Sequence, residues 1–219
     1  MKIVSNWAQA APGDTVAALV RADGTAASAW PDTLIRHGAA MRDLADAAHA
    51  LCALHGTTPT VIEQAGITSA SGGLCGWLRR AAARFDAERA LLMRLIAAVG
   101  PLPSTPGQAQ SDAAVLAQRH ALLMLAQSDR AGCAVGAAAA LLLEWAAIRD
   151  VIDVTCDRTG ITIIPRTLPD AQDITAALAT LEITPGSARA IVFGAQQLLA
   201  QHRGLWQLLE ARASARRDS

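Results

Sequence analysis

Apolar residues recur along this chain at intervals of three and four positions, which is the repeat of an amphipathic α-helix. The pattern predicts five long helices, over residues 31–55, 74–99, 106–127, 128–158 and 184–213. Shorter helices are expected over 14–22, 58–66 and 169–182. Only Ile161 to Ile164 has the character of a strand, and it is too short and isolated to form a sheet. We therefore predict an all-α fold, an antiparallel bundle of about five long helices with short accessory helices.

Start and stop signals support these boundaries. Pro31 suits the first turn of a helix, and Gly56 and Gly160 follow the expected ends of two others. Thr105-Pro106-Gly107-Gln108 has the form of a capping box. A single helix from 106 to 158 would be about 80 Å long, so we expect a break at Ser128-Asp129. Residues 1–219 then form a single domain, with a weakly structured segment over 1–30 and a frayed tail over 214–219.

Composition strengthens the helical interpretation and excludes several classes of protein. The chain has 219 residues, is 52% hydrophobic and contains 50 alanines, which favours helix and argues against disorder. Nineteen acidic residues balance nineteen basic ones, and only 3% of the residues are aromatic. A protein with neither excess positive charge nor stacking side chains is not expected to bind nucleic acid.

Neither a membrane-spanning segment nor the disulfide framework of a secreted protein is expected. The N-terminus lacks the apolar core of a secretory signal. The most apolar stretch, Ala131 to Ile148, consists largely of alanine and contains Glu144, so it predicts a buried helix and not a membrane span. Four widely separated cysteines without a CxxC motif are typical of a reducing compartment. We therefore expect a cytoplasmic protein.

Ionisable residues on the apolar faces are the most informative feature of the sequence. Glu88, His120, Glu144 and His202 lie within or beside the faces of four long helices that should point to the core. His55 falls at the edge of such a face on another helix. Burying a carboxylate or an imidazole costs several kcal/mol unless the group is paired, hydrogen-bonded or coordinated to a metal.

These four residues support three interpretations. They could converge on a small ligand, or on a metal ion such as iron or manganese. A metal version would be a ferritin-like oxidoreductase, although the Glu-x-x-His doublets of that class are missing from the sequence. Alternatively, each residue is neutralised by its own neighbours, Glu88 for example by Arg84, by Arg89 or by an arginine across an interface, and the protein is a regulatory or scaffolding bundle.

Two further patterns have plainer explanations. Asp150, Asp153 and Asp157 share a helix face that resembles a magnesium-binding stripe, but the face lies opposite Ile148 and Ile152 and should be solvated. Gly132 and Gly136 permit close approach of another helix, either within the chain or across a homodimer.

Several segments carry a family resemblance. They are Pro101 to Gln108, Gln118 to Ala121, Ser128 to Cys133 and Glu144 to Arg149. They resemble a family of alanine-rich alphaproteobacterial proteins without an assigned activity, over about residues 49–160. The resemblance implies a bacterial cytosolic protein and supplies no functional residues. Three hypotheses remain: a ligand- or metal-binding bundle, a metal-dependent oxidoreductase, and a scaffold that dimerises or binds a partner.

Overall fold

A computed structural model describes residues 11–68 and 72–218, and within them every regular element is helical. The helices are α1 (Pro12–Asp23), α2 (Ala29–Ile35), α3 (Met41–His55), α4 (Val61–Thr68), α5 (Gly72–Val99), α6 (Gln108–Ala126), α7 (Cys133–Thr159), α8 (Ala171–Ala179) and α9 (Pro185–Arg217). A 3₁₀ turn, Thr25–Ala27, connects α1 to α2. The predicted all-α class is confirmed. The five longest described helices, α3, α5, α6, α7 and α9, correspond to the five expected long segments.

Helix α7 is the centre of the molecule. In the described part of the chain it packs against each of the other eight helices, and most of its 27 residues are buried. The first half of α7 is rich in alanine, and these small side chains let neighbouring backbones approach closely. The most apolar stretch of the sequence is therefore the buried part of a packed helix. None of the described helices combines the length and the apolar character that crossing a membrane requires.

Glycines set the crossing of α7 with α9. A Cβ atom on Gly136 would lie 1.9 Å from the carbonyl oxygen of Ile191, and one on Gly194 would lie 2.0 Å from that of Cys133. The two backbones are therefore in direct contact at this point. The glycine spacing therefore serves an internal helix pair, which is one of the two alternatives that the sequence left open.

Several predicted boundaries differ from the structure. The segment 31–55 is two helices, because the chain turns at Gly38, whose φ of 97° is accessible mainly to glycine. The short helix begins at Val61 and not near Pro59, with Thr60 and Glu63 exchanging backbone and side-chain hydrogen bonds. Helix α6 begins at Gln108 after Gly107, without the predicted threonine cap.

The C-terminal turns of α9 are anchored, in contrast to the predicted frayed tail. Arg212 donates to both carboxylate oxygens of buried Asp46 on α3, at 3.0 Å each. Arg216 donates to Asp46 at 2.5 Å and to Asp43 at 2.7 Å. It also donates to the hydroxyl of Thr105 at 2.6 Å. These contacts anchor the last turns of α9, which remains helical as far as Arg217, and tie them to the segment that precedes α6.

Candidate ligand-binding site

Two of the four predicted site residues, Glu144 and His202, meet in the interior. Glu144 on α7 is 2% exposed and His202 on α9 is 1% exposed. Nδ1 of His202 lies 3.0 Å from Oε2 of Glu144, but the two atoms do not meet the geometry of a hydrogen bond. The close crossing of α7 with α9 brings the two side chains together.

The other oxygen of Glu144 is bound by the N-terminal part of the chain. Oε1 accepts a hydrogen bond from the backbone N–H of Thr25 at 2.9 Å and a second from the Thr25 hydroxyl. The indole N–H of Trp206 donates to that hydroxyl oxygen at 2.9 Å. Thr25 is buried, and the 3₁₀ turn holds it against α7 and α9.

His55 continues the network beyond His202. The Nε2 atoms of the two imidazoles are 2.9 Å apart, so one must donate a proton and the other accept it. His55 ends α3, is 3% exposed, and packs edge-on against Trp145 with 5.4 Å between ring centroids. We call the series His55, His202, Glu144, Thr25 and Trp206 the polar chain.

Burial determines the charge state of His55. Loss of solvent, and then the charge of neighbouring His202, lower the pKa of His55 well below its ordinary value of 6.5. His55 is therefore a neutral imidazole near neutral pH. Because its Nε2 contacts His202, only Nδ1 can serve a further partner.

His55 also lines a surface cleft of about 450 Å³. The cleft lies between the end of α3, the start of α4 and helix α6. Its lining residues are Leu54, His55, Thr57, Thr58, Pro59, Thr60, Val61, Leu116, Arg119, His120, Leu122, Leu123 and Ala126. The polar chain thus runs from this cleft to the centre of the molecule.

Glu88 belongs to a different network. Both of its oxygens accept from Nη1 of Arg149, at 2.7 and 2.9 Å, and both residues are almost fully buried. The rest of the guanidinium donates to Asp153 and to the carbonyl oxygen of Ile164, each at 2.7 Å. Arg166, half exposed, completes this group with Asp150 and Asp153. Glu88 is a neutralised core residue, as the alternative interpretation of the sequence allowed.

His120 lies at the surface, contrary to the predicted inward face of α6. Leu116 and Leu123, which bracket it, are 63% and 40% exposed, whereas Leu122, Leu125 and Ala126 are buried. Leucines occupy several sides of this helix, so the apolar pattern did not identify the packed one. His120 nevertheless lines the cleft, together with Arg119.

The predicted metal site formed by Glu88, His120, Glu144 and His202 is not assembled. Over residues 11–68 and 72–218, no group of three or more His, Cys, Asp and Glu side chains is placed to hold a metal ion. Arg149 occupies the carboxylate of Glu88, and His120 is at the surface. The four residues therefore belong to a buried ion pair, a buried polar chain and a cleft wall.

Sequence reasoning missed three members of the polar chain, which are His55, Thr25 and Trp206. His55 was placed only at the edge of an apolar face, although its position at the end of a buried helix was a usable signal. Thr25 lies in a weakly patterned segment, and nothing local distinguishes it from the threonines around it.

Comparison with known proteins gives a family and no activity. No curated protein and no solved structure matches the chain. The model of a family of unknown function, DUF6975, matches residues 20–217, which includes the whole polar chain and every residue that lines the cleft. The chain therefore belongs to the DUF6975 family.

Proposed function

We propose that this protein binds a small, largely apolar molecule with one polar head group in the cleft beside His55. The observation that carries the proposal is the connection between the cleft and the buried polar chain. A surface cleft alone is common, but a neutral, buried imidazole at its inner wall, held by a second imidazole and a carboxylate, is a pre-organised polar contact.

The composition of the cleft wall supports such a ligand. Leu54, Val61 and four apolar residues of α6 provide its hydrophobic surface, and the volume of about 450 Å³ is in the usual range for small-molecule sites. Leu116 and Leu123 are large apolar side chains left in water by the fold. A bound alkyl or ring group would cover them and gain roughly 25 cal/mol for each Å² removed from water.

The polar residues would have distinct roles. His55 and the hydroxyls of Thr57, Thr58 and Thr60 would contact the head group, with Arg119 and His120 beside it. Glu144 and His202 would hold His55 and set its proton. Glu88 has no part in this site, because Arg149 satisfies both of its oxygens.

Nuclear magnetic resonance with simple amphiphiles tests this proposal. We expect octanoate or 1-octanol to shift the backbone resonances of residues 54–61 and 116–126 in a saturable manner. Leu116→Glu should abolish the shifts by placing a charge on the apolar wall. Ile67→Glu is the matched control, since Ile67 is 68% exposed and lies outside the cleft. Shifts spread over the whole surface, or unaffected by Leu116→Glu, would contradict the proposal.

A further inference from the structure

We propose that helix α6 pairs with the α6 of a second copy of this chain, in antiparallel orientation, to form a two-fold symmetric homodimer. This interaction goes beyond the proposed ligand binding. The juxtaposition that carries it is an apolar outer face on α6, with the opposite charges of Asp112 and Arg119 seven residues apart along one edge of that face. A two-fold axis between the two positions brings the acidic residue of each copy to the basic residue of the other.

The outer face of α6 is apolar although it points to solvent. The inner side of the helix packs against α3, α4, α7 and α9. On the outer side Leu116, Leu123 and Met124 are between 40% and 63% exposed, with Ala113 and Ala117 exposed beside them. Three of the nine large hydrophobic residues that are exposed in the described part of the chain therefore lie on one face of one helix. Such a concentration is typical of a surface that another molecule covers.

The spacing on this face is that of a coiled-coil seam. Five exposed residues follow one another at intervals of four, three, four and three positions, which is the heptad repeat. They are Ala109, Ala113, Leu116, His120 and Leu123. If Asp112 is set opposite Arg119 of a second copy, Leu116 faces the second copy's Ala113 and His120 faces its Ala109. Each large side chain then meets a small one, which allows close packing of the two helices.

Asp112 and Arg119 determine the orientation of the pair. Asp112 accepts a hydrogen bond from Gln108, and among the described residues neither Asp112 nor Arg119 forms a salt bridge. Antiparallel pairing places the same flanking heptad position of the two chains side by side, so the ion pair forms twice. Parallel pairing would place Ala117 beside Asp112 and Met124 beside Arg119, without an ion pair. The charges therefore favour the antiparallel dimer.

The length of α6 sets the strength of the dimer. The helix has 19 residues and is therefore about 28 Å long. One helix pair of this length buries less surface than the interfaces of obligate dimers. We therefore expect a reversible monomer–dimer equilibrium with a Kd of roughly 10–100 μM.

Sedimentation equilibrium of the full-length protein without ligand, from about 5 to 500 μM, measures this association. Leu116→Glu places two carboxylates close to the two-fold axis, so we expect it to raise the Kd at least about tenfold. Ile67→Glu is the matched control, since Ile67 is equally exposed but lies on α4, and should leave the Kd unchanged. A strictly monomeric protein over the whole range, or equal effects of the two variants, would overturn the proposal.

A charge exchange tests the orientation. Asp112→Arg and Arg119→Asp each bring like charges together at both ends of the interface, so each should raise the Kd several-fold. The double variant Asp112→Arg/Arg119→Asp restores both ion pairs in the antiparallel dimer and should return the Kd to about that of the unmodified protein. Single variants that dimerise normally, or a double variant as weak as the single ones, would refute the antiparallel pairing. Circular dichroism of each variant confirms that its helices are intact.

The dimer and the proposed ligand binding are separable, although Leu116 and Leu123 belong to both surfaces. Asp112 does not line the cleft, so Asp112→Arg should weaken the dimer and leave the octanoate-induced shifts of residues 54–61 in place. If the protein binds octanoate but stays monomeric, the proposed function stands and this inference is overturned. If it dimerises with the expected charge dependence and binds neither octanoate nor 1-octanol, the inference stands and the proposed function fails.

Discussion

Three buried carboxylates in this protein have two different kinds of partner. Glu88 and Asp46 each receive two hydrogen bonds from one arginine, Arg149 and Arg212 respectively. Arginine stays charged at every physiological pH, so these pairs are permanent. Glu144 instead faces a histidine and a threonine, and a histidine can change its charge. For this reason we assign structural roles to the two arginine pairs.

Arg149→Met should destabilise the protein strongly. It leaves the Glu88 carboxylate, 2% exposed, without its cation, and breaking one side of a buried pair typically costs about 3–5 kcal/mol. The free energy of unfolding in urea measures this. Arg166→Met removes an arginine from the same cluster whose side chain is 46% exposed, and should cost less than about 1 kcal/mol. Equal losses in the two variants would contradict a structural role for the buried pair.

Stability should depend on pH through His55. Its pKa in the folded protein is well below the ordinary 6.5, so below that pH the unfolded chain binds a proton that the folded protein does not. Its contribution is therefore complete above about pH 6.5 and is lost on acidification, by about 1.4 kcal/mol per pH unit until the folded pKa is reached. We expect His55→Gln to flatten urea-unfolding stability between about pH 6.5 and 5.5. His37→Gln, at an exposed position, should retain the slope of the unmodified protein.

The sequence revealed which residues were unusual but not which residues they would meet. Glu144 and His202 were recognised because helical periodicity placed them among apolar residues, and both are buried. Their partners were not predictable, since Thr25 is 119 residues from Glu144 and His55 is 147 residues from His202. Glu88 could be expected to pair with an arginine, but the choice of Arg149 depends on how α5 packs against α7.

At the scale of whole helices, sequence reasoning succeeded where one face is clearly apolar or the cap is local. Thr184 and Ser187 form a capping box, and α9 begins at Pro185, as predicted to within a residue. Helix α6 was predicted with the wrong face because its leucines surround it, and only the packing of α3, α4, α7 and α9 selects the buried side. The turn at Gly38 was missed because an apolar spacing continues across it.

The crossing of α7 with α9 should be intolerant of any added atom. A methyl group on Gly136 would meet a carbonyl oxygen of the α9 backbone, which cannot rotate away as a side chain can. We expect Gly136→Ala to lower the unfolding free energy by at least about 1–3 kcal/mol, the usual cost of overpacking. Gly76→Ala, also within a helix but with only the flexible end of Arg80 near it at 3.5 Å, should be neutral or stabilising. Thermal unfolding of both variants, compared under one condition, checks this.

At the scale of the molecule, one central helix organises all the others. Because α7 contacts every other described helix, the N-terminal turn at Thr25, the end of α3 and the middle of α9 can all reach Glu144 or its partners. The polar chain therefore joins segments that are far apart in the sequence. Such a network needs a chain that extends at least from Thr25 to Trp206.

The C-terminal end of α9 should contribute to global stability. Deleting residues 214–219 removes Arg216, whose guanidinium donates to Asp43, Asp46 and Thr105. Hydrogen bonds to charged groups are worth about 1.5–3 kcal/mol each, so we expect a loss of at least about 2 kcal/mol. Deleting only residues 218–219 leaves Arg216 in place and should have little effect. Urea unfolding of both truncated proteins is the measurement, and equal stability of the two would contradict this anchoring role.

Two tryptophans flank the polar chain, and they provide an optical signal for events within it. The centroid of the Trp145 ring is 5.4 Å from that of the His55 ring. Trp206, which lies one turn beyond His202 on α9, donates a hydrogen bond from its indole N–H to the Thr25 hydroxyl. A positively charged imidazole quenches the emission of a nearby indole, whereas a neutral one does so weakly. We therefore expect the intrinsic fluorescence of the unmodified protein to respond to protonation of His55, so that acidification of the interior can be followed without a dye or a label.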